Sequence, residues 1–194
     1  RQVPQSLVYL AFHSPARMEP GFYASDLLSD ILSNGSSSRL IQKLIKQQKL
    51  FSEANAYIMG SIDRGLFVIS GKPLPGLSVE KAEEKLREEL MLLTTEGVGE
   101  RELQKVKNKL HASHTFSASN VMARSMNLAY YELLGDAMLL NEQMDHYQSV
   151  SADDLQNEAR RLFEKGFDSV LHYVAVNESS EAASGSILPG SDDH

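Results

Sequence analysis

Residues 26–76 read DLLSDILSNGSSSRLIQKLIKQQKLFSEANAYIMGSIDRGLFVISGKPLPG, and this stretch decides the fold. Its apolar spacing predicts a helix that ends at the Asn34-Gly35 pair, because glycine commonly follows the last helical turn. The hydroxyl groups of Ser36–Ser38 are suited to cap a second helix. Residues 53–59 and 66–72 then read as two strands joined by a short turn. The stretch therefore predicts two helices followed by a β-hairpin.

Outside this stretch, the chain has a β-rich run near each end and a helical block between them. The two runs are Leu7 to His13 and Ser169 to Val176, and apolar residues recur at helical spacing in five segments from residue 79 to 163. The stripe of the third segment, predicted to face the core, is Val121, Met122, Met126, Ala129 and Leu133. The order of elements predicts an α+β fold, a mostly antiparallel sheet covered by a layer of helices. We expect one domain over residues 1–176 and a disordered tail over residues 177–194, which are rich in Ser, Gly and acidic side chains.

Composition excludes several classes of function. The 194 residues carry a formal charge of −7, which argues against a nucleic-acid partner because phosphate binding needs a basic surface. The chain has no cysteine, so it has no disulfide, thiol nucleophile or thiolate metal site. No apolar run approaches the ~20 residues of a membrane span, so we expect a soluble protein of the cytoplasm or the periplasm. The first strand follows closely on Arg1, so we expect a fragment of a longer polypeptide.

Four short motifs, in a fixed order, give the chain a family resemblance. They are Ser38-Arg39-Leu40, Gly71-Lys72-Pro73-Leu74-Pro75, Glu102-Leu103 with Lys107, and Val150-Ser151-Ala152-Asp153-Asp154. Over roughly residues 8–176 the chain resembles the insulinase/pitrilysin zinc metallopeptidases. Those enzymes bind zinc through His-x-x-Glu-His on a helix. None of the six histidines begins or ends such a motif. The chain therefore resembles the C-terminal domain of these peptidases, which does not bind zinc.

The resemblance implies a function in which chemistry and substrate binding are divided between domains. It implies no catalytic and no metal-binding residue in this chain, and zinc held by an N-terminal domain of the parent chain or by a paired subunit. This domain would form the far wall of a chamber around an extended peptide, partly through pairing with an edge strand. An alternative within the same fold is a catalytically inactive family member that serves as a scaffold or partner subunit.

Two positions favour the second of these alternatives. In active relatives, an Arg and a Tyr seven residues apart in the second domain hold the substrate backbone near the metal. Alignment on Leu40, Leu44 and Leu50 places this clamp at Ile45 and Ser52. Isoleucine has no hydrogen-bond donor, and serine is short and lacks a phenol.

The family glycine of the same pattern corresponds to Lys49 in this chain. The Arg/Tyr clamp is therefore substituted at both positions, and the pattern departs from the family at a third.

Other polar and sulfur-containing residues favour structural roles. His111 and His114 lie three residues apart on a predicted helix, but zinc needs a third ligand and no acidic residue lies one turn further along. His172, in the last strand, is predicted to be a half-buried sheet residue. Met122 and Met126 are expected to fill the core, although methionines also suit an adaptable peptide-binding surface. Acidic pairs such as Glu83-Glu84 are expected to be solvated.

Overall fold

The computed structural model describes residues 5–60, 62–164 and 168–175. Its strands are β1 (Leu7–Ser14), β2 (Phe51–Met59), β3 (Gly65–Pro73) and β4 (Asp168–Tyr173). They form a sheet in the order β2-β3-β1-β4, and every neighbouring pair is antiparallel. The predicted hairpin is β2–β3. The predicted tail, residues 177–194, lies outside the described residues.

Six α-helices and a π-helix account for the helical part of the described chain. Their bounds are α1 (Phe22–Ser33), the π-helix (Ile41–Gln47), α2 (Val79–Glu96), α3 (Glu100–Ala118), α4 (Val121–Leu133), α5 (Leu139–Ser149) and α6 (Ala152–Leu162). Among these helices, none combines the length and apolar character that crossing a membrane requires. Together with the sheet, they confirm the predicted α+β class.

The core lies between one face of the sheet and the helices. Alternate residues of β1, namely Val8, Leu10 and Phe12, point to this side because side chains alternate along a strand. The contributions of α1 to the core are Leu27, Leu28, Ile31 and Leu32, all at most 1% exposed. The i, i+3, i+4 spacing of the α1 residues is the amphipathic pattern of a helix that packs on a sheet. Within residues 5–60, 62–164 and 168–175, the helices therefore cover one face of the sheet and leave the other open.

The second predicted helix is wrong in type and in capping. Residues 41–47 form a π-helix, in which the Gln48 amide donates to the Lys43 carbonyl oxygen five residues earlier, at 2.9 Å. The Ser38 hydroxyl donates to the Gly35 carbonyl oxygen at 2.7 Å, and no side chain caps the π-helix. It is the Ser38 carbonyl oxygen that accepts from the helix, from the Gln42 amide at 2.9 Å.

The expectation that Met122 and Met126 fill the core is also wrong. Their side chains are 68% and 65% exposed. The helix α4 lies on the outside of the helix layer, where it packs against α3 and α5 through the side that carries the buried Tyr131. The apolar stripe of α4 has helical periodicity, but it faces away from its neighbours in the described chain.

The family motifs mostly hold the helix layer together. Arg39 forms a forked ion pair with Glu102 of α3, at 2.7 and 3.1 Å, and donates to the Gly97 carbonyl oxygen at 2.9 Å. The buried Lys107 ammonium donates to the Val150 carbonyl oxygen at 2.6 Å, just after the end of α5. The predicted capping box at the start of α6 is confirmed, because Ser151 and Asp154 bond reciprocally.

Candidate substrate-facing site at the π-helix and strand β2

The first candidate position, Ile45, lies in the second half of the π-helix. Its side chain is half-buried and packs against the hydrophobic core, next to the fully buried Leu44. An isoleucine there contributes apolar contact and offers no side-chain hydrogen bond to a peptide. Ile45 therefore helps to hold the π-helix against the core.

The second candidate position, Ser52, lies in a β-bulge near the start of β2. Phe51 pairs with Pro73 and Glu53 pairs with Lys72, so Ser52 is an extra residue on its strand. Its exposed hydroxyl donates to the Lys72 carbonyl oxygen at 3.3 Å. Beside it is a cavity of about 430 Å³, lined also by Gln5, Ser6, Pro73, Leu74, Pro75, Gly76, Leu77, Val174 and Ala175.

The backbone between these positions is irregular throughout. After the π-helix, Lys49 adopts φ +53°, the left-handed region that non-glycine residues seldom occupy. The bulge at Ser52 follows three residues later. Irregular backbone of this kind concentrates at functional sites, where it aims side chains that regular structure cannot aim. Both clamp positions thus lie on backbone suited to presenting a side chain, but the side chains are Ile and Ser.

The open face of the sheet adjoins this segment. The register places on it Leu7, Tyr9, Ala11, His13, Glu53, Asn55, Tyr57, Met59, Leu66, Val68, Ser70, Lys72, Ser169, Leu171 and Tyr173. Tyr9 and Tyr173 contact each other edge to face, with ring centroids 6.0 Å apart. Lys72 donates to Glu53 across the β2–β3 pair, and this hydrogen bond lowers the pKa of the Glu53 carboxyl. The face is therefore largely apolar and aromatic, with one ion pair near Ser52.

Strand β2 lies at an edge of the described sheet. The outer side of an edge strand presents main-chain N–H and C=O groups that an added strand can pair with. Such pairing is one of the general ways in which proteins bind extended peptides. In β2, however, the Ala56 amide and carbonyl both bond the Ser33 hydroxyl of α1 at 2.9 Å, so a peptide could pair with this edge only on either side of Ala56. The open face can contact the side chains of a peptide.

Titratable groups are mostly held in structural pairs away from this face. On the covered face, His172 Nε2 lies 2.9 Å from Glu83 Oε2, and Glu83 also pairs with Arg87 at 2.7 Å. The expectation that Glu83 is solvated is therefore wrong, because strand β4 passes over α2. His172 is half-buried as predicted. Burial raises the pKa of the Glu89 carboxyl, although the positive charges of Lys43 and Arg39 partly offset this rise.

Metal ligands do not converge anywhere in the described part of the chain, where no group of three or more His, Asp or Glu side chains could hold an ion. His111 is exposed and His114 is half-buried, on the same helix α3. No third His, Asp or Glu side chain among the described residues converges on this pair.

Comparison with known proteins agrees with this picture of the fold. Residues 1–110 match the family described as the peptidase M16 inactive domain. The chain belongs to this family. An inactive peptidase domain from a Bordetella parapertussis protein assigned as a zinc protease superposes with a TM-score of 0.82 at 25% identity, over 92% of this chain and 97% of that one. A Helicobacter pylori protease also superposes, with a TM-score of 0.82 at 22% identity, over 88% of this chain and 41% of that one.

Among curated proteins, an uncharacterised zinc protease of Streptomyces coelicolor is 26% identical over 161 residues. A second uncharacterised zinc protease, from Rickettsia felis, is 27% identical over 142 residues. These alignments cover 82% and 73% of the M16 inactive domain described here, but only 35% and 34% of the two relatives. It thus spans about a third of the length of these relatives.

Sequence reasoning did not identify the open sheet face as a site. The alternation of residues 53, 55, 57 and 59 in β2 signals one face of a strand, but two-residue periodicity does not state which face the helices cover. Tyr57, Tyr9 and Tyr173 come from three different strands. Only their pairing register places them on a common surface.

Proposed function

We propose that this M16 inactive domain forms one wall of a peptide-binding chamber, opposite a zinc-binding domain of the parent chain or of a paired subunit. The observation that carries the proposal is the open face of a sheet whose other face is covered by helices. Tyr9, Tyr57 and Tyr173 on that face offer rigid surfaces for the side chains of an extended peptide. The parts of the β2 edge on either side of the Ser33–Ala56 contact offer main-chain groups for its backbone.

In this arrangement the chain's own residues bind and orient the substrate. Zinc held by the other domain would supply activation of the attacking water. Pairing with strand β2, either antiparallel or parallel, would fix the direction of the peptide. The aromatic residues of the open face would exclude water from the bound peptide. Positioning of this kind is a large part of catalysis, since a misplaced substrate loses rate even when the reacting groups are intact.

The substituted clamp at Ile45 and Ser52 favours a second candidate function, that of an inactive partner subunit or scaffold. Loss of one positioning donor costs on the order of 10²-fold in rate. A parent protein with both donors replaced would therefore be a slow peptidase, or would serve in assembly with chemistry in another chain.

Zinc content and peptidase activity of the full-length parent separate the two functions. We would measure both for the parent and for its Ile45→Arg/Ser52→Tyr variant, with an unstructured peptide as substrate. One bound zinc with slow cleavage, raised by the double substitution, supports the chamber. A parent without zinc or cleavage, unchanged by the substitutions, supports the scaffold.

A direct test of the wall uses the purified chain and a fluorescent unstructured peptide. The Tyr57→Ser variant is expected to weaken binding several-fold in fluorescence anisotropy. Met122→Ser is the matched control, because it also removes an exposed apolar side chain, but from the helix layer. Equal effects of the two substitutions would refute the assignment of the open face.

A further inference from the structure

A buried arginine lies on the helix side of the sheet, where the proposed chamber wall makes no use of it. Arg17, in the connection between β1 and α1, is only 6% exposed. Its guanidinium stacks over Phe22 at 4.5 Å, Tyr23 at 5.0 Å and Tyr131 at 5.6 Å from the ring centroids. Stacking on aromatic faces stabilises a buried cation and holds its plane in a fixed orientation.

The arginine has no carboxylate partner within ion-pair distance among the described residues. It donates to the Tyr131 phenol, and Tyr147 is also within hydrogen-bonding reach. The acidic group that faces it is Asp26, whose Oδ2 accepts from the Tyr147 hydroxyl at 2.6 Å. Burial raises the pKa of the Asp26 carboxyl, despite the opposing effects of that hydrogen bond and of Arg17.

The remaining guanidinium donors open onto a cavity. A guanidinium has five N–H groups, and two phenols use only part of them. Arg17 lines a cavity of about 350 Å³ between α3, α4 and α5, whose other lining residues include Phe22, His114, Asn127, Tyr131 and Gln143.

We propose that this cavity binds a carboxylate on a small apolar or aromatic body, with Arg17 as its fixed cationic partner. A planar guanidinium matches a carboxylate in a two-point hydrogen bond. The phenyl and phenol rings beside it provide contact for the body of the ligand, and the amides of Asn127 and Gln143 supply further hydrogen bonds. A single arginine matches the single charge of a carboxylate better than the double charge of phosphate. The carboxylate belongs either to a free small acid or to the C-terminus of a peptide.

Calorimetric titration of the purified chain tests the proposal with four organic probes and inorganic phosphate. The probes are N-acetyl-L-phenylalanine and the tripeptide N-acetyl-Ala-Ala-Phe, each as the free acid and as the amide. At least one acid is expected to bind about tenfold or more tightly than its amide, because only the acid forms a charge-assisted pair. A tighter tripeptide acid identifies a peptide C-terminus as the ligand, and equal affinities identify a small acid.

The variants Arg17→Met, Arg17→Lys and Arg101→Met link binding to the arginine. Arg17→Met should abolish the preference for acid over amide, and Arg17→Lys should reduce it by keeping charge without the planar fork. Arg101→Met makes the same charge change at an exposed residue at the other end of α3, and should bind like the unmodified chain. If Arg17→Met does not fold, the acid–amide comparison in the unmodified chain and in the Arg17→Lys variant still tests whether Arg17 binds a carboxylate. Equal binding of acid and amide, no binding of either acid, or tighter binding of phosphate would overturn the proposal.

Discussion

Lys49 holds a backbone conformation that glycine adopts at little cost, so Lys49→Gly should stabilise the domain. At φ +53° its Cβ crowds the following carbonyl oxygen. A left-handed conformation costs an L-residue roughly 1–2 kcal/mol. Glycine removes this cost but loses about 0.4–1 kcal/mol through the greater entropy of the unfolded chain. The midpoints of these two ranges give an expected net gain in the free energy of unfolding of about 0.8 kcal/mol.

The Lys49 side chain does not complicate this estimate. It is exposed and takes part in no hydrogen bond or ion pair with the described residues. Urea denaturation should therefore show a higher midpoint with an unchanged slope. For a domain of this size, the gain corresponds to a rise in Tm of about 1–4 °C.

Two neighbouring substitutions separate the effect of φ from other effects. Lys49→Ala removes the same side chain but keeps a Cβ, so the free energy of unfolding should change by less than about 0.5 kcal/mol. Gln48→Gly replaces a residue with φ −82°, and should destabilise by about 0.5–1 kcal/mol. If Lys49→Gly were no more stable than the unmodified chain while Gln48→Gly lost stability as expected, the strain assigned to Lys49 would be refuted.

Three further substitutions test the packing and capping of the domain. Gly71→Ala would place a Cβ 2.7 Å from the Phe51 ring, so urea denaturation should show a loss of about 1–3 kcal/mol, partly recovered by adding Phe51→Leu. Ser151→Ala removes the cap of α6 and should cost about 1 kcal/mol at pH 7. Hydrogen bonds from Ser151 lower the pKa of the Asp154 carboxyl. The stability that the ionised Asp154 contributes is therefore fully present above its unfolded-state pKa, and it is lost as pH falls through the lower folded-state pKa. The difference between Ser151→Ala and the unmodified chain should therefore narrow in acid, and a constant difference from pH 7 to pH 3 would contradict the capping box. Met126→Ser should change the free energy of unfolding by less than about 0.5 kcal/mol, whereas a loss above 2 kcal/mol would show that Met126 is buried.

Local signals in the sequence were sufficient for the fold but not for the faces of its elements. The Ser151–Asp154 cap and the β2–β3 hairpin follow from nearby residues, because caps and turns are short-range interactions. The outward orientation of Met126 depends on where α4 lies relative to α3 and α5, which periodicity does not specify. The pairing of His172 with Glu83 joins residues 89 positions apart, so it follows only from the passage of β4 over α2.

The π-helix was missed for a related reason. Its sequence, IQKLIKQ, has the apolar spacing of an ordinary helix. A π-turn widens the helix by one residue and is stabilised by its surroundings, here by the burial of Leu44 and the Leu50 amide bonding to the Leu44 carbonyl oxygen at 2.9 Å. The burial of Leu44 depends on tertiary packing, so local propensity alone favours the α-helix.

The residues that carry the family resemblance divide into two groups with different physical roles. Arg39, Glu102 and Lys107 join helices to one another. Loss of Arg39 or Glu102 would leave a partly buried charge unpaired, and loss of Lys107 would remove the donor to the Gln148 and Val150 carbonyl oxygens. Ile45 and Ser52 lie on irregular backbone, with Ile45 half-buried at the edge of the core and Ser52 exposed. A chain can therefore keep every contact that defines this fold while changing the groups that would touch a peptide. An argument about peptidase activity in this family has to rest on the second group, because the first group only holds the fold together.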